Sequence, residues 1–184
     1  MTQYNGRPFG DGFFNDSPMK TIVFARHAKS DWTRDLPDRK RPLNPRGLKD
    51  APMMGRLLRA YEFQPDAILS SPAVRALTTA ELVAQELEQA PAIDVREEIY
   101  DGGPGGILGL IQELPENIHS VMVFGHNPTT ETLIQFCLQM RSGVTVPTGG
   151  MACIEFAGRC AQLNPALSSL QWFLIPKLVK RFEK

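Results

Sequence analysis

The feature that most constrains this chain is the run Thr21-Ile22-Val23-Phe24-Ala25, which breaks off into Arg26-His27-Ala28-Lys29-Ser30. A β-branched and aromatic run of this length reads as a buried strand. Such a strand ends by setting an arginine and a histidine side by side on the rim of a sheet. In open α/β sheets that carboxyl-end rim is where ligands bind. Two later apolar runs end in compatible chemistry. Ala67-Ile68-Leu69 leads into Ser70-Ser71-Pro72-Ala73-Val74-Arg75-Ala76, and Val121-Met122-Val123-Phe124 leads into Gly125-His126-Asn127-Pro128. Brought to one edge, two histidines and two arginines suit a phosphoryl group, which needs a nucleophile and positive charge around its oxygens.

The rest of the chain alternates strand with helix. Strands are predicted at 21–26, 67–70, 92–95, 120–124, 151–156 and 170–175, and helices at about 45–61, 72–88, 105–114 and 128–140. Alternation with short connections predicts an α/β fold: a three-layer α/β/α sandwich on a mostly parallel central sheet of about six strands. Asn44-Pro45, Ser71-Pro72 and Asn127-Pro128 share one start signal, a capping side chain before a proline suited to the first helical position. Helix starts present unpaired N–H groups and the positive end of the dipole, which favours an anion. Arg75 in a first turn opposes that dipole, a placement better matched to a nearby anion. Pro52 predicts a kink or break in the first helix near Asp50-Ala51. Residues 1–18, dense in Gly, Pro, Asn and Asp, read as a flexible and dispensable extension, leaving 19–184 as one domain.

Charge and cysteine usage narrow the function classes. Twenty basic and twenty acidic side chains give zero formal net charge, which argues against a nucleic-acid or membrane-surface binder. No apolar stretch approaches the ~20 residues of a membrane span. Cys137, Cys153 and Cys160 cannot all pair internally and read as reduced residues of a cytoplasmic protein. With three histidines and no metal-ligand spacing, neither a dedicated metal site nor a cofactor is expected. His119 reads as a surface residue ahead of a strand. The tail from Pro176 to Lys184 reads as a basic amphipathic segment packing its apolar side.

In combination and in order, Arg26-His27, Arg41-Pro42-Leu43-Asn44 with Gly47, Ser71-Pro72 with Arg75-Ala76, and Gly125-His126-Asn127-Pro128 resemble the histidine phosphatase superfamily. The resemblance covers about residues 19–176. Within that phosphoglycerate mutase-like family it is to the small SixA-type phosphohistidine phosphatases. It implies that His27 is the nucleophile, forming a covalent phosphohistidine that water cleaves. Arg26 and Arg75 would grip phosphoryl oxygens with planar forks, and His126, protonated, would donate to another oxygen. The two arginines should lower the pKa of His27 and keep it neutral, with its second nitrogen bonded to a backbone carbonyl. Ser30, Asn127 and Arg41 fall at substrate-binding positions, with Asn127 first a helix cap and Arg41 a brace for the site. Ala28 and Thr33 stand where mutase relatives often carry glycine and asparagine, which counts against a mutase. Glu98 and Asp101 are the candidate acids, in a stretch much shorter than the inserted region of larger relatives.

These residues point to a metal-independent phosphatase acting on phosphohistidine in a signalling or phosphotransfer protein, a monomer binding neither nucleic acid nor membrane. A labile P–N bond suits a site without a strong acid. A small-molecule phosphomonoesterase and a non-catalytic phosphate-binding module use the same residues. The charged segment from Asp31 to Arg41 reads either as a loop whose aspartates and arginines neutralise one another or as a mobile cover. In the second case Arg39, Lys40 and Arg41 would meet an acidic or phosphorylated partner.

Overall fold

The computed structural model describes residues 19–182, so the expectation for residues 1–18 lies outside the described residues. Six strands form one sheet: β1 (Met19–Arg26), β2 (Ala67–Ser70), β3 (Ile93–Val95), β4 (Ser120–Gly125), β5 (Met151–Ala157) and β6 (Ser168–Leu174). Their spatial order is β3-β2-β4-β1-β5-β6. Neighbours from β3 to β1 are parallel, whereas β5 runs antiparallel to both β1 and β6. Five strands therefore share a direction and β5 alone opposes them. The sheet is mixed and mostly parallel, as expected from strands alternating with helices.

Unbroken apolar runs are explained by burial on both faces. Ile22, Phe24, Val121 and Val123 face one core, which is covered by α3 (Glu98–Asp101), α4 (Gly103–Gln112) and α5 (Thr129–Cys137). Their chain neighbours Val23, Ala25, Met122 and Phe124 face the other, under α1 (Pro45–Ala60), α2 (Val74–Ala84) and α6 (Pro176–Phe182). Fully buried Lys20 donates to the carbonyls of Glu116 and Ile118 at 2.6 and 2.5 Å, which satisfies its ammonium.

Local signals met tertiary packing with mixed results. Asn44 caps α1 as expected, its side chain accepting from the Gly47 N–H at 2.9 Å. Pro52 does not break α1, which continues to Ala60. Met53, Met54 and Leu58 seat that helix in the core, and Gly55 abuts the backbone of Val83, so packing on both flanks of the proline holds the helix together. Helix α2 starts at Val74 rather than Pro72 and has no side-chain cap. The tail is a helix, and exposed Lys180 reaches back to the buried carboxylate of Asp50.

Candidate active site

The central placement of β1 between β4 and β5 decides what meets at the rim. Arg26 lies in register with Gly125, and Ser70 with Phe124. The residues that follow, His27, Ser71 and His126, therefore emerge side by side. The His27 N–H donates to the Gly125 carbonyl at 3.0 Å, fastening the two tips together. From the other side the Gly149 N–H donates to the carbonyls of Arg26 and His27. Gly149 has φ +76°, and a Cβ there would meet Pro176 at 2.9 Å, so both backbone and space call for glycine. Gly47 is equally restricted, since a Cβ would fall 2.3 Å from the Lys29 carbonyl oxygen.

His27 is buried and its tautomer is determined. Nδ1–H donates to the Ala28 carbonyl at 2.7 Å, which leaves the lone pair on Nε2. Arg75 Nε–H donates to that nitrogen at 3.2 Å. Burial pushes the pKa of His27 down to about 3 against the opposing Ala28 contact; His126, Arg75 and Arg26 add to the lowering. The expected neutral imidazole is present, but desolvation outweighs the arginines as its cause.

Arg75 has two working edges. Its Nε and Nη2 face the histidines, Nη2 lying 3.2 Å from His126 Nδ1. Its outer end donates to Asp38, from Nη1 to the carbonyl at 2.6 Å and from Nη2 to Oδ2 at 2.9 Å. Arg41 is buried, ion-paired with Asp38 and stacked 3.5 Å above the centre of the Trp32 ring. Its Nε and Nη1, together with Arg26 Nε, are buried with no hydrogen-bond partner among the described residues. Buried charged donors are costly to leave unmatched. Arg26, His27, Ser30, Arg41, Arg75 and Asp38, with Lys29, Trp32 and Thr148, line a cavity of about 260 Å³. Such a space, with guanidinium N–H groups awaiting acceptors, fits a small tetrahedral oxyanion. An outer hollow of about 540 Å³, running over Trp32, Arg34 and Leu36, shares Trp32, Asp38 and Arg41 with it but contains neither histidine.

His126 stands 5.2 Å from His27, centre to centre. Burial, and then Arg75, Arg26 and Arg41, push its pKa down to about 4, so near neutral pH it is uncharged. This corrects the expectation of a protonated donor. Arg75 donates to Nδ1, so Nε2–H donates to Ser71 Oγ at 2.8 Å. Ser71 consequently supports His126 rather than capping a helix.

Several expected site residues sit elsewhere. Asn127 is neither cap nor cavity lining. Its amide donates to Glu131 Oε1 at 2.6 Å and to the Val146 carbonyl at 3.0 Å, because α5 begins only at Thr129. Glu98 and Asp101 form no hydrogen bond or ion pair with a site histidine or arginine among the described residues. In α3 the buried Ile99 fixes the helix's orientation, and that turns Tyr100, not its acidic neighbours, toward the site. The Tyr100 ring meets His126 edge-on at 5.7 Å, and its hydroxyl donates to Asp38 Oδ2 at 3.1 Å. Arg39 pairs with Glu97 over Tyr100 and Arg41 is buried, so the three basic residues of 39–41 do not present one exposed patch.

Asp38, Tyr100 and Thr79 were not picked out from the sequence. Asp38 is hidden in a loop that mixes both charges; its i,i+3 spacing to Arg41 was the one available signal. Thr79, fully buried, accepts from the Ala28 N–H at 3.0 Å and donates to the Arg75 carbonyl at 2.6 Å. It thus ties the turn behind the nucleophile to the start of α2. Nothing in an α2 threonine announces that role.

Known proteins place this geometry. The family model of the histidine phosphatase superfamily (branch 1) matches residues 22–144. An uncharacterised protein of Mycobacterium tuberculosis is 34% identical over 161 residues, covering 83% of this chain and 99% of its own. Among solved structures, a candidate phosphohistidine phosphatase SixA from Nakamurella multipartitia is 26% identical with a TM-score of 0.77, over 87% of this chain and 98% of that one. The protein histidine phosphatase SixA bound to tungstate shares the fold at 22% identity and a TM-score of 0.76, over 86% and 99%. With Arg26, His27 and His126 on adjacent strand tips, Arg75 in the first turn of α2, and the family match spanning all of them, the chain belongs to the histidine phosphatase superfamily.

Proposed function

We propose that this phosphatase hydrolyses phosphohistidine on a signalling or phosphotransfer protein, without a metal and through a phosphorylated His27. The observation that carries the reading is the set of unpartnered buried guanidinium N–H groups on Arg26 and Arg41, which line one cavity with the unprotonated His27 Nε2. Nε2 attacks phosphorus as the P–N bond of the substrate breaks, and the departing imidazole nitrogen takes a proton from solvent. Water then attacks phosphorus as the P–Nε2 bond breaks; its oxygen leaves in inorganic phosphate, its protons pass to the phosphate and its surroundings, and neutral His27 is restored. Arg26, Arg75 and Arg41 balance the charge on the equatorial oxygens, and Ser30 lines the same cavity. A doubly negative phosphoryl group also opposes the three guanidiniums that, after burial, lower the pKa of His126. Its arrival favours protonation of His126, which then donates to an oxygen.

The absence of Glu98 and Asp101 from the site supports a phosphoramidate over an alkyl ester, since a leaving imidazole needs less acid help than an alkoxide. Three free, buried cysteines, two with thiols pushed up to about 12 by burial, suit a reducing cytoplasm. Among the described residues no helix is long and apolar enough to cross a membrane. We take residues 19–184 as the working unit, so a chain lacking 1–18 keeps its turnover.

The test compares a phosphohistidine-bearing protein, a phosphoserine peptide and p-nitrophenyl phosphate in EDTA, for wild type and His27→Ala. Fastest turnover of phosphohistidine, abolished in the variant, is expected. Equal or faster turnover of the esters would make the enzyme a general phosphomonoesterase. Phosphate binding without any turnover would reduce it to a binding module.

A further inference from the structure

One carboxylate organises the arginines of this site from outside the motif. Asp38 lies on a short 3-10 turn, Asp38–Lys40, between β1 and α1. It receives Arg75 on both its carbonyl and Oδ2, Arg41 as an ion pair, and the Tyr100 hydroxyl on Oδ2. These contacts engage the outer end of Arg75 and leave its Nε–Nη2 edge directed at His27 Nε2 and His126 Nδ1. In Arg41 they engage Nη2 and leave Nε and Nη1 without partners. The two guanidiniums are buried and repel one another, each 8% exposed along its side chain, with burial and then Arg75 lowering the pKa of Arg41. A cation in the first turn of α2 also opposes the helix dipole. Arg41 also stacks on Trp32 and Arg75 also reaches the histidines, but the Asp38 carboxylate is the anion that the two guanidiniums share.

We propose that Asp38 is a positioning residue for phosphoryl binding: it clamps the outer ends of Arg75 and Arg41 so that their remaining N–H groups form a ready-made oxyanion cradle before His27. The proposal rests on the reading of this cavity as a phosphoryl site. It assigns a function to a residue of the charged loop, and it makes preorganisation the source of affinity, because the arginines need no reorientation when the anion arrives. The contrary possibility is that the carboxylate competes with phosphate for the same two arginines. The geometry argues against it: although Arg75 Nη2 serves both Asp38 and His126, Arg75 Nε faces only His27, and Arg41 Nε and Nη1 face no acceptor.

The experiment measures dissociation constants for inorganic phosphate by calorimetry on the full chain for wild type, Asp38→Asn and Asp38→Ala, with melting temperatures alongside. Asn retains an acceptor for Arg75 but no charge; Ala retains neither. The Asp38 side chain is half exposed but neutralises two buried guanidiniums, so Ala should melt below wild type, and binding is compared well below every melting temperature. Affinity should fall in graded order, with Ala about 10–100-fold weaker than wild type and Asn between them. On the phosphohistidine-bearing protein, Ala should raise KM and lower kcat together, with partial recovery in Asn. Phosphate bound by Ala as tightly as by wild type, or more tightly, would overturn the positioning role and make Asp38 a competitor. Wild-type protein that bound no phosphate would overturn the phosphoryl-site reading and this inference with it.

Discussion

Thr79 offers a sharp test of how the fold holds its nucleophile. Thr79→Val preserves volume and branching at a fully buried position, so no cavity opens, and the change removes only the hydroxyl. The Arg75 carbonyl lies one helical turn back and keeps its backbone partner, so its loss is small. The Ala28 N–H has no such substitute: Thr79 Oγ1 at 3.0 Å is its acceptor. A buried donor left unmatched costs about 1–3 kcal/mol, and in a chain of this size each kcal/mol lowers the melting temperature by about 2–4 °C. The expected drop is therefore about 2–12 °C. Activity should suffer as well, because Ala28 supplies the carbonyl that orients His27 Nδ1. A displacement of about 1 Å at a reacting atom can cost about a hundredfold, so kcat/KM should fall by about 10–100-fold. Thr79→Ser keeps the hydroxyl and loses one methyl, about 0.8 kcal/mol, and should turn over at close to the wild-type rate. Thermal melts and steady-state kinetics on the three proteins decide the matter. Equal kcat/KM in the Val and Ser variants would refute the idea that this hydroxyl positions the nucleophile.

Two further expectations concern protons. His27 and His126 have folded pKa values of about 3 and about 4 against an ordinary 6.5, so the unfolded chain takes up their protons first as pH falls. Their contribution to stability is complete above about pH 6.5 and erodes below it by up to about 1.4 kcal/mol per pH unit for each histidine, until the folded values are reached. Urea midpoints between pH 8 and 4.5 should show that loss, with a shallower slope in His27→Asn; identical slopes would contradict the burial of a neutral His27. Sulfate, which does not titrate near neutrality, should bind with net proton uptake as its two charges raise the pKa of His126. Calorimetry in buffers of different ionisation enthalpy measures that uptake. Its absence would leave His126 neutral in the loaded site.

How much of this was legible depended on whether the signal was local. The three apolar runs, Thr21–Ala25, Ala67–Leu69 and Val121–Phe124, became adjacent strands, and the groups at their tips met. The cap at Asn44 also held, because a side chain bonding its own helix start needs no distant partner. The caps read at Ser71 and Asn127 did not: His126 and the Glu131–Val146 contacts claimed those side chains in three dimensions. Glu98 and Asp101 have the right chemistry for an acid, yet the burial of Ile99 rotated α3 so that Tyr100 reached the site instead. Pro52 was overruled by packing on both sides of α1.

Local patterning was enough to send an arginine–histidine pair, a second arginine and a second histidine out from the ends of buried strands. That follows from short-range patterning, in which β-branched runs and the polar residues after them dictate their own conformation. It could not determine that β4 would insert between β2 and β1, that β5 would run antiparallel, or that Asp38 would close on Arg75 across 37 positions of chain. A loop charge has many partners of equal local appeal, and only the folded sheet, by bringing α2 and the 31–41 loop to one rim, selects among them.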